Sequence, residues 1–144
     1  MIDTNVFIDS PQIIKKIDCN CPIILSGTVI DELDNKKKDF DTPNKKDQKK
    51  KRNVEMALQF LNKEAKKTHK IIFEEPDTSL LPTGMNKHKG DNKILSIAIK
   101  YKKTKNIKES MNPIVLTSDN GFQLQCQRCN INTISLNDLL TNKY

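Results

Sequence analysis

Four acidic residues in this chain lie where a parallel α/β sheet would bring them together. Each follows a short apolar run typical of a strand or stands in the first turns of a helix-like run; they are Asp3, Glu32, Asp91 and Asp119. In an open α/β sheet these places share one edge, because crossover helices start where parallel strands end. Carboxylates gathered there repel one another and need a cation to stay ionised together. Since oxygen ligands suit a hard divalent ion, the pattern predicts a Mg²⁺ site and metal-assisted phosphodiester chemistry.

Each acid alone also has a purely structural explanation. Asp3 would suit a turn after a strand, and Glu32 would suit the solvated face of a helix. Asp91 and Asp119 would suit helix N-caps. Taken together, the four acids favour a functional site, because all of them have the same placement relative to the neighbouring apolar run. Asp34, in contrast, falls on the outer side of its predicted helix.

Hydrolysis of a phosphodiester needs a water that is nucleophilic near neutral pH and a charge that stabilises the leaving oxygen. One or two divalent ions, roughly 4 Å apart when paired, supply both. We expect Asp3 and Asp119 to be the core ligands. Glu32 and Asp91 would complete the shell directly or through water. This chemistry requires no His, Cys or Ser nucleophile.

Short apolar runs alternate with amphipathic segments along the chain, which predicts a mostly parallel sheet covered by helices on both faces. The first strand is predicted at residues 1–3, extending to 6, and the others at 22–26, 71–73, 114–116 and 131–134. Helices are predicted at 10–17, 27–33, 54–65, 91–101 and 122–126, with a terminal turn at 136–140. The length of 144 residues fits one domain over residues 1–144.

Positive charge is concentrated in one segment. The chain carries a net charge of +7, and residues 36–52 alone hold nine basic and three acidic residues. Residues 36–51 are polar and broken by Pro43-Asn44, which predicts a flexible lysine-rich loop. The loop is either a solvated segment or a contact for the phosphates of a nucleic acid. The candidate nucleic-acid-binding residues are Lys45, Lys46, Lys49, Lys50, Lys51 and Arg52.

The remaining composition indicates a cytoplasmic protein. No apolar run has the length of a membrane span, and no positively charged region followed by an apolar one marks a signal peptide. In that setting Cys19, Cys21, Cys126 and Cys129 are expected to be reduced thiols. A structural zinc site built from the two cysteine pairs is the alternative.

The four acidic segments resemble the ordered motifs of PIN-domain nucleases. They are Ile2-Asp3-Thr4-Asn5-Val6, the run from Val29 to Asp34, the run from Gly90 to Leu95, and the run from Val115 to Asp119. The resemblance covers the chain from end to end. Two segments are most similar to PIN domains joined to PhoH-type ATPases: the run from Lys51 to Leu61 and the lysine-rich run after Glu32. The resemblance implies a three-layer α/β/α PIN-like (Rossmannoid) fold with a central, mostly parallel sheet. It also implies a Mg²⁺- or Mn²⁺-dependent ribonuclease.

By position, the resemblance makes Asp3, Glu32, Asp91 and Asp119 the catalytic, metal-binding acids. Asn5 and Thr117 would orient Asp3 and the metal-bound water. Asn120 stands where acid-richer members of the family have a further acid, so the number of bound metal ions, one or two, is left open. The implied partner is RNA. The resemblance leaves open whether the chain also binds a protein such as an antitoxin, forms a homo-oligomer, or has a fused or missing flanking domain. A catalytically weak PIN-like module that binds RNA or protein is the alternative function.

Overall fold

The structure is a computed structural model that describes residues 1–67, 70–104 and 112–142. Four short strands alternate with helices along these residues. The strands are β1 (Ile23–Ser26), β2 (Ile71–Glu74), β3 (Ile114–Leu116) and β4 (Asn132–Ile134). The α-helices are α1 (Thr4–Asp9), α2 (Gly27–Asp39), α3 (Lys45–Lys67), α4 (Gly90–Lys103), α5 (Asn120–Arg128) and α6 (Leu136–Asn142). Single 3₁₀ turns occupy Ile13–Lys16 and Thr78–Leu80.

All strand pairs that the structure describes are parallel, as predicted. Strand β1 pairs with β2 in a register that places Ile23 beside Ile71. Strand β3 pairs with β4, and Ile2 forms a parallel bridge to Leu116 of β3. Within the described residues the strands therefore form two two-stranded sheets, with the N-terminal residues added to the second. The carboxyl end of β3 and residue 3 thus lie side by side.

The N-terminal predictions need two corrections. The first strand does not extend to Val6, because Asp3 caps α1, which begins at Thr4. No α-helix starts at Ser10-Pro11, where only the 3₁₀ turn Ile13–Lys16 follows. Ser10 already ends α1 by donating its N–H to the Val6 carbonyl at 2.8 Å, so it does not serve as the N-cap of a new helix. At the other end of the chain, the predicted turn at 136–140 is helix α6.

The prediction of a flexible loop over residues 36–51 is wrong. Helix α2 continues to Asp39 and α3 begins at Lys45, so the connection is only residues 40–44. Asn44 starts α3 by accepting the Lys46 N–H with its side-chain oxygen at 2.8 Å, as N-cap residues do. Lysine is itself a good helix former, and cations are favourable in the last turn of α2. The lysine-rich segment is therefore mostly a pair of helix ends.

Helices α2 and α3 pack against each other and against α1 through aliphatic faces. Helix α2 buries Val29 and Leu33, four residues apart, and α3 buries Val54, Ala57 and Leu61 at helical spacing. Burial of this apolar surface is the main force that holds the two helices side by side. In the part of the chain that the structure describes, no helix has the length and hydropathy needed to cross a membrane.

Candidate active site

Asp3 is held in place by three hydrogen bonds at the end of the first strand segment. Its backbone N–H donates to the Leu116 carbonyl at 3.0 Å, which ties it to β3. Its Oδ1 accepts the Thr4 N–H at 2.8 Å, and its Oδ2 accepts the Thr117 hydroxyl at 2.9 Å. The side chain is only 4% exposed. A buried carboxylate with both oxygens oriented is a preorganised ligand position.

The pKa of Asp3 is raised from 3.8 to about 6, chiefly because burial disfavours the charged form. The negative charges of Asp91 and Glu32 raise it further, while the hydrogen bonds from Thr117 and Thr4 lower it. Asp91 and Glu32, which lie 88 and 29 positions from Asp3 in the sequence, thus act on the same carboxyl group. A cation beside Asp3 would relieve both effects.

Glu32 reaches the same place from α2. Its Oε2 accepts the Thr4 hydroxyl at 2.6 Å. Its Oε1 lies against Gly90 at the start of α4, so closely that a Cβ atom at position 90 would collide with it. The glycine therefore makes room for the carboxylate between α1 and α4.

Asp91 and Asp119 complete the group of acids. Burial raises the pKa of Asp91, and the charges of Asp119 and Glu32 raise it further, while Lys89 lowers it. The Lys89 Nζ lies 4.0 Å from Asp91 Oδ2. Asp119 caps α5 by accepting the Phe122 N–H with Oδ1 at 3.0 Å. The four predicted acids are therefore linked by their charges: Asp91 and Glu32 act on Asp3, and Asp119 and Glu32 act on Asp91.

The chemistry of this donor set fits a hard divalent ion, because every charged ligand is a carboxylate oxygen. Within residues 1–67, 70–104 and 112–142, however, no three His, Cys, Asp or Glu side chains already form a compact metal-binding group. Like-charged carboxylates separate in the absence of a cation. Of the four acids, Asp119 is exposed and Asp3 is buried.

The polar residues around the acids differ in part from the prediction. Thr117 is fully buried and donates to Asp3, which matches its predicted orienting position. Asn5 is exposed, and the hydrogen bonds to the Asp3 side chain come from Thr4 and Thr117 instead. Thr4 was missed by the sequence analysis, although it joins Asp3 to Glu32. The signal that points to it is its position directly after a helix-capping aspartate.

The predicted lysine cluster is dispersed over the start of α3. Lys45, Lys46 and Lys49 are exposed, as is Arg52. Lys51 forms an ion pair with Asp41 at 3.1 Å. Lys50 extends over the ring of Phe40, with 5.4 Å between its Nζ and the ring centre.

A cleft of about 520 Å³ adjoins the acids, and its lining includes Asn5, Asp119 and Lys50. Two further lining residues, Lys36 and Phe40, were missed by the sequence analysis. The signal for Lys36 is its spacing of four residues from Glu32 on α2, which places both on one helix face.

The cysteines are not gathered into a site. Cys126 is buried, Cys129 is half-buried, and Cys19 and Cys21 are exposed; all four thiols are free. Burial raises the pKa of Cys126 to about 12, which disfavours the thiolate that zinc requires. Nothing in this arrangement supports the zinc alternative.

The chain therefore has an α/β fold with parallel strands, and two further acids act on the charge of Asp3 beside the end of β3. The family model for the PIN domain matches residues 1–137. The chain belongs to the PIN domain family, whose members are typically nucleases that use divalent metal ions such as Mg²⁺. Its α/β fold is the PIN-like fold that the motifs predicted. No curated protein matches the chain.

Proposed function

We propose that this protein is a Mg²⁺- or Mn²⁺-dependent endoribonuclease that hydrolyses phosphodiester bonds of single-stranded RNA. The observation that carries the proposal is the convergence of charge on Asp3, whose pKa is raised to about 6 by burial and by Asp91 and Glu32. Perturbed carboxyl groups of this kind are typical of functional sites. Membership of a nuclease family supports the reaction class.

In this proposal Asp3 and Asp119 are the core metal ligands, with Glu32 and Asp91 completing the shell directly or through water. An ion held there would supply a nucleophilic water and would stabilise the charge on the leaving oxygen. The chain itself sets the ligand positions through two threonines. Thr117 donates its hydroxyl to Asp3 and accepts the Asp119 N–H at 3.1 Å. Thr4 donates its N–H to Asp3 and its hydroxyl to Glu32.

RNA is the proposed partner because positive charge stands beside the acids. Lys36 and Lys50 line the adjoining cleft, and the exposed Lys45, Lys46, Lys49 and Arg52 extend the basic surface along α3. Such side chains bind backbone phosphates and add affinity with little sequence choice. We also propose a cytoplasmic location and a relationship to PIN domains joined to PhoH-type ATPases, on the sequence features given above.

The direct test is cleavage of a mixed single-stranded RNA pool with Mn²⁺, compared with the same reaction in EDTA. Asp119→Asn is expected to keep the fold and abolish cleavage, because the amide retains the shape of the side chain but not its charge. Asp34→Asn is the matched control, since Asp34 is an exposed acid that pairs with Lys37 at 3.7 Å on the same helix as Glu32. Unchanged cleavage by Asp119→Asn would remove Asp119 from the mechanism.

A second candidate is a catalytically weak PIN-like module that binds RNA or a protein partner. Titration with Mn²⁺ separates the two functions. The nuclease should bind the ion and lose it on Asp3→Asn, whereas the binding module should show no difference between the two proteins.

A further inference from the structure

The cleft beside Asp119 contains an aromatic ring with two cations close to it. The ammonium group of Lys36 lies 5.9 Å from the centre of the Phe40 ring, and that of Lys50 lies 5.4 Å from it. Phe40 is half-buried, so part of its ring is open to the cleft. Asn5 and Asp119 line the same cleft.

The α2–α3 hairpin builds this arrangement from regular structure. Glu32, Lys36 and Phe40 recur every four residues, so they follow one face of α2 from the acids outward. The Phe40 N–H donates to the Lys36 carbonyl at 2.9 Å and closes the last turn of the helix. Lys50 comes from α3 on the other side of the short connection. Lys36 and Phe40 therefore extend from the same side of α2 as Glu32.

An aromatic face flanked by cations matches the chemistry of an unpaired nucleotide. Bases stack on aromatic side chains, while lysines bind the phosphates of the backbone. In a duplex the base faces are already stacked on one another, so they are not available to a side chain. The contact between a lysine and an exposed ring is weaker than the stacking of a base on the same ring. A nucleotide can therefore replace the lysines on the ring and draw them to its phosphates.

We propose that this cleft binds the unpaired nucleotide adjacent to the cleaved phosphodiester, with its base stacked on Phe40 and its phosphates held by Lys36 and Lys50. The proposal rests on the nuclease function proposed above, and it assigns that function's preference for single strands to one side chain. Aromatic residues make up only 5% of the chain. One well-placed ring is sufficient for one nucleotide.

The test measures binding of the full chain to a fluorescent single-stranded oligoribonucleotide by anisotropy, in EDTA so that no strand is cut. Phe40→Leu is expected to weaken binding about tenfold, because base stacking on an aromatic side chain is lost while the apolar volume that packs on the core is largely kept. Phe40→Trp should bind within about twofold of the parent, because its ring restores the stacking surface. A strand with abasic sites should bind the parent and Phe40→Leu equally.

Phe60→Leu is the matched control. Phe60 is also half-buried and also carries a lysine over its ring, Lys15 at 5.1 Å, but it does not line this cleft. Its replacement should leave RNA affinity at the parent level. Circular dichroism and melting temperature of both leucine variants show whether they fold, and the tryptophan and abasic-strand measurements decide the question independently of any change in stability.

The lysines are tested through the salt dependence of binding. Lys36→Gln and Lys50→Gln should each reduce the slope of log K against log salt by about 0.7, the value for one phosphate contact on a single strand. Lys63→Gln, an exposed residue 13 positions further along α3 and therefore about 20 Å away, should leave the slope unchanged.

The results separate this inference from the nuclease function. Weaker binding by Phe40→Leu, together with no Mn²⁺-dependent cleavage by the parent, would support the nucleotide site and overturn the proposed reaction. Cleavage by the parent with unchanged Kd and KM in Phe40→Leu would overturn the site and leave the reaction standing. An equal loss of affinity for single-stranded and double-stranded RNA would also overturn stacking on Phe40.

Discussion

Replacing Asp3 by asparagine is expected to stabilise the metal-free protein. The rise in the pKa of Asp3 from 3.8 to about 6 corresponds to about 3 kcal/mol of unfavourable free energy for the charged form. Asparagine is neutral, caps a helix as well as aspartate does, and keeps an oxygen for the Thr4 N–H. The variant therefore removes the cost of a buried charge without removing the cap of α1.

One loss opposes this gain. The Thr117 hydroxyl donates to Asp3 Oδ2 and accepts the Asp119 N–H. An amide nitrogen in place of Oδ2 has no lone pair to accept the hydroxyl proton, and a buried unsatisfied donor costs about 1–2 kcal/mol. The expected net stabilisation above pH 6 is therefore about 1–2 kcal/mol, which for a chain of this size is a rise in Tm of about 3–6 °C.

The effect should depend on pH with a defined sign. Because the folded-state pKa lies above the unfolded value, the cost of ionised Asp3 is present in full above about pH 6. It decreases as the pH falls through 6 and disappears below 3.8, where Asp3 is protonated in both states. The advantage of Asp3→Asn should therefore be present at pH 7.5 and lost at pH 4.

Urea unfolding followed by circular dichroism in EDTA measures the difference at each pH, with Asp34→Asn as the control for removing an exposed charge. Saturating Mg²⁺ should reverse the order, because the parent gains about 2.7 kcal/mol at an ion concentration of 100 Kd and the variant does not. A variant that is less stable than the parent at pH 7.5 in EDTA, or a difference that is the same at pH 4, would refute the reasoning.

Two further substitutions test how the acids are positioned. Gly90→Ala should lower Mn²⁺ affinity about tenfold in a calorimetric titration, because its methyl group displaces the Glu32 carboxylate. Alanine suits a helix at least as well as glycine, so the loss of stability should be no more than that of the Thr4–Glu32 hydrogen bond, about 1–2 kcal/mol. An unchanged Kd would show that Glu32 does not need that position. Thr4→Val keeps the volume but removes the hydroxyl that donates to Glu32 at 2.6 Å, so RNA cleavage should fall while urea unfolding shows a loss of about 1–2 kcal/mol. Cleavage by Thr4→Val at the parent's rate would show that the reaction does not depend on Glu32 as Thr4 positions it.

Local patterns were sufficient to predict most of the regular structure. The strand at Ile114–Leu116 lies where an apolar run was bounded by polar residues, and the helices starting at Gly27 and Gly90 follow helical spacing of apolar side chains. The error at residues 36–51 came from weighing charge and Pro43 above helix propensity. Asn44, counted as a loop former, instead caps α3, and only the packing of α3 on α2 shows which of the two roles it takes.

The site was predictable only as a set of positions. The order of the four acids relative to strands and helices follows from the chain itself, because parallel topology places the carboxyl ends of strands at one edge. The burial of Asp3, the link through Thr4 and the close approach of Glu32 to Gly90 depend on how α1, α2 and α4 pack. The hydrogen bond from the Thr4 N–H to Asp3 joins neighbours in the sequence. The other contacts join residues that are far apart in the chain.

The sequence by itself determined the fold class, the acidic residues and the excess of positive charge, since periodicity, residue type and local order are properties of short segments. Tertiary structure alone decided which side chains are desolvated, and which lysines and which aromatic ring line the cleft beside Asp119. The physical reason is that burial and electrostatic interactions depend on distances between atoms, and these are set by side-chain packing between helices that are far apart in the chain.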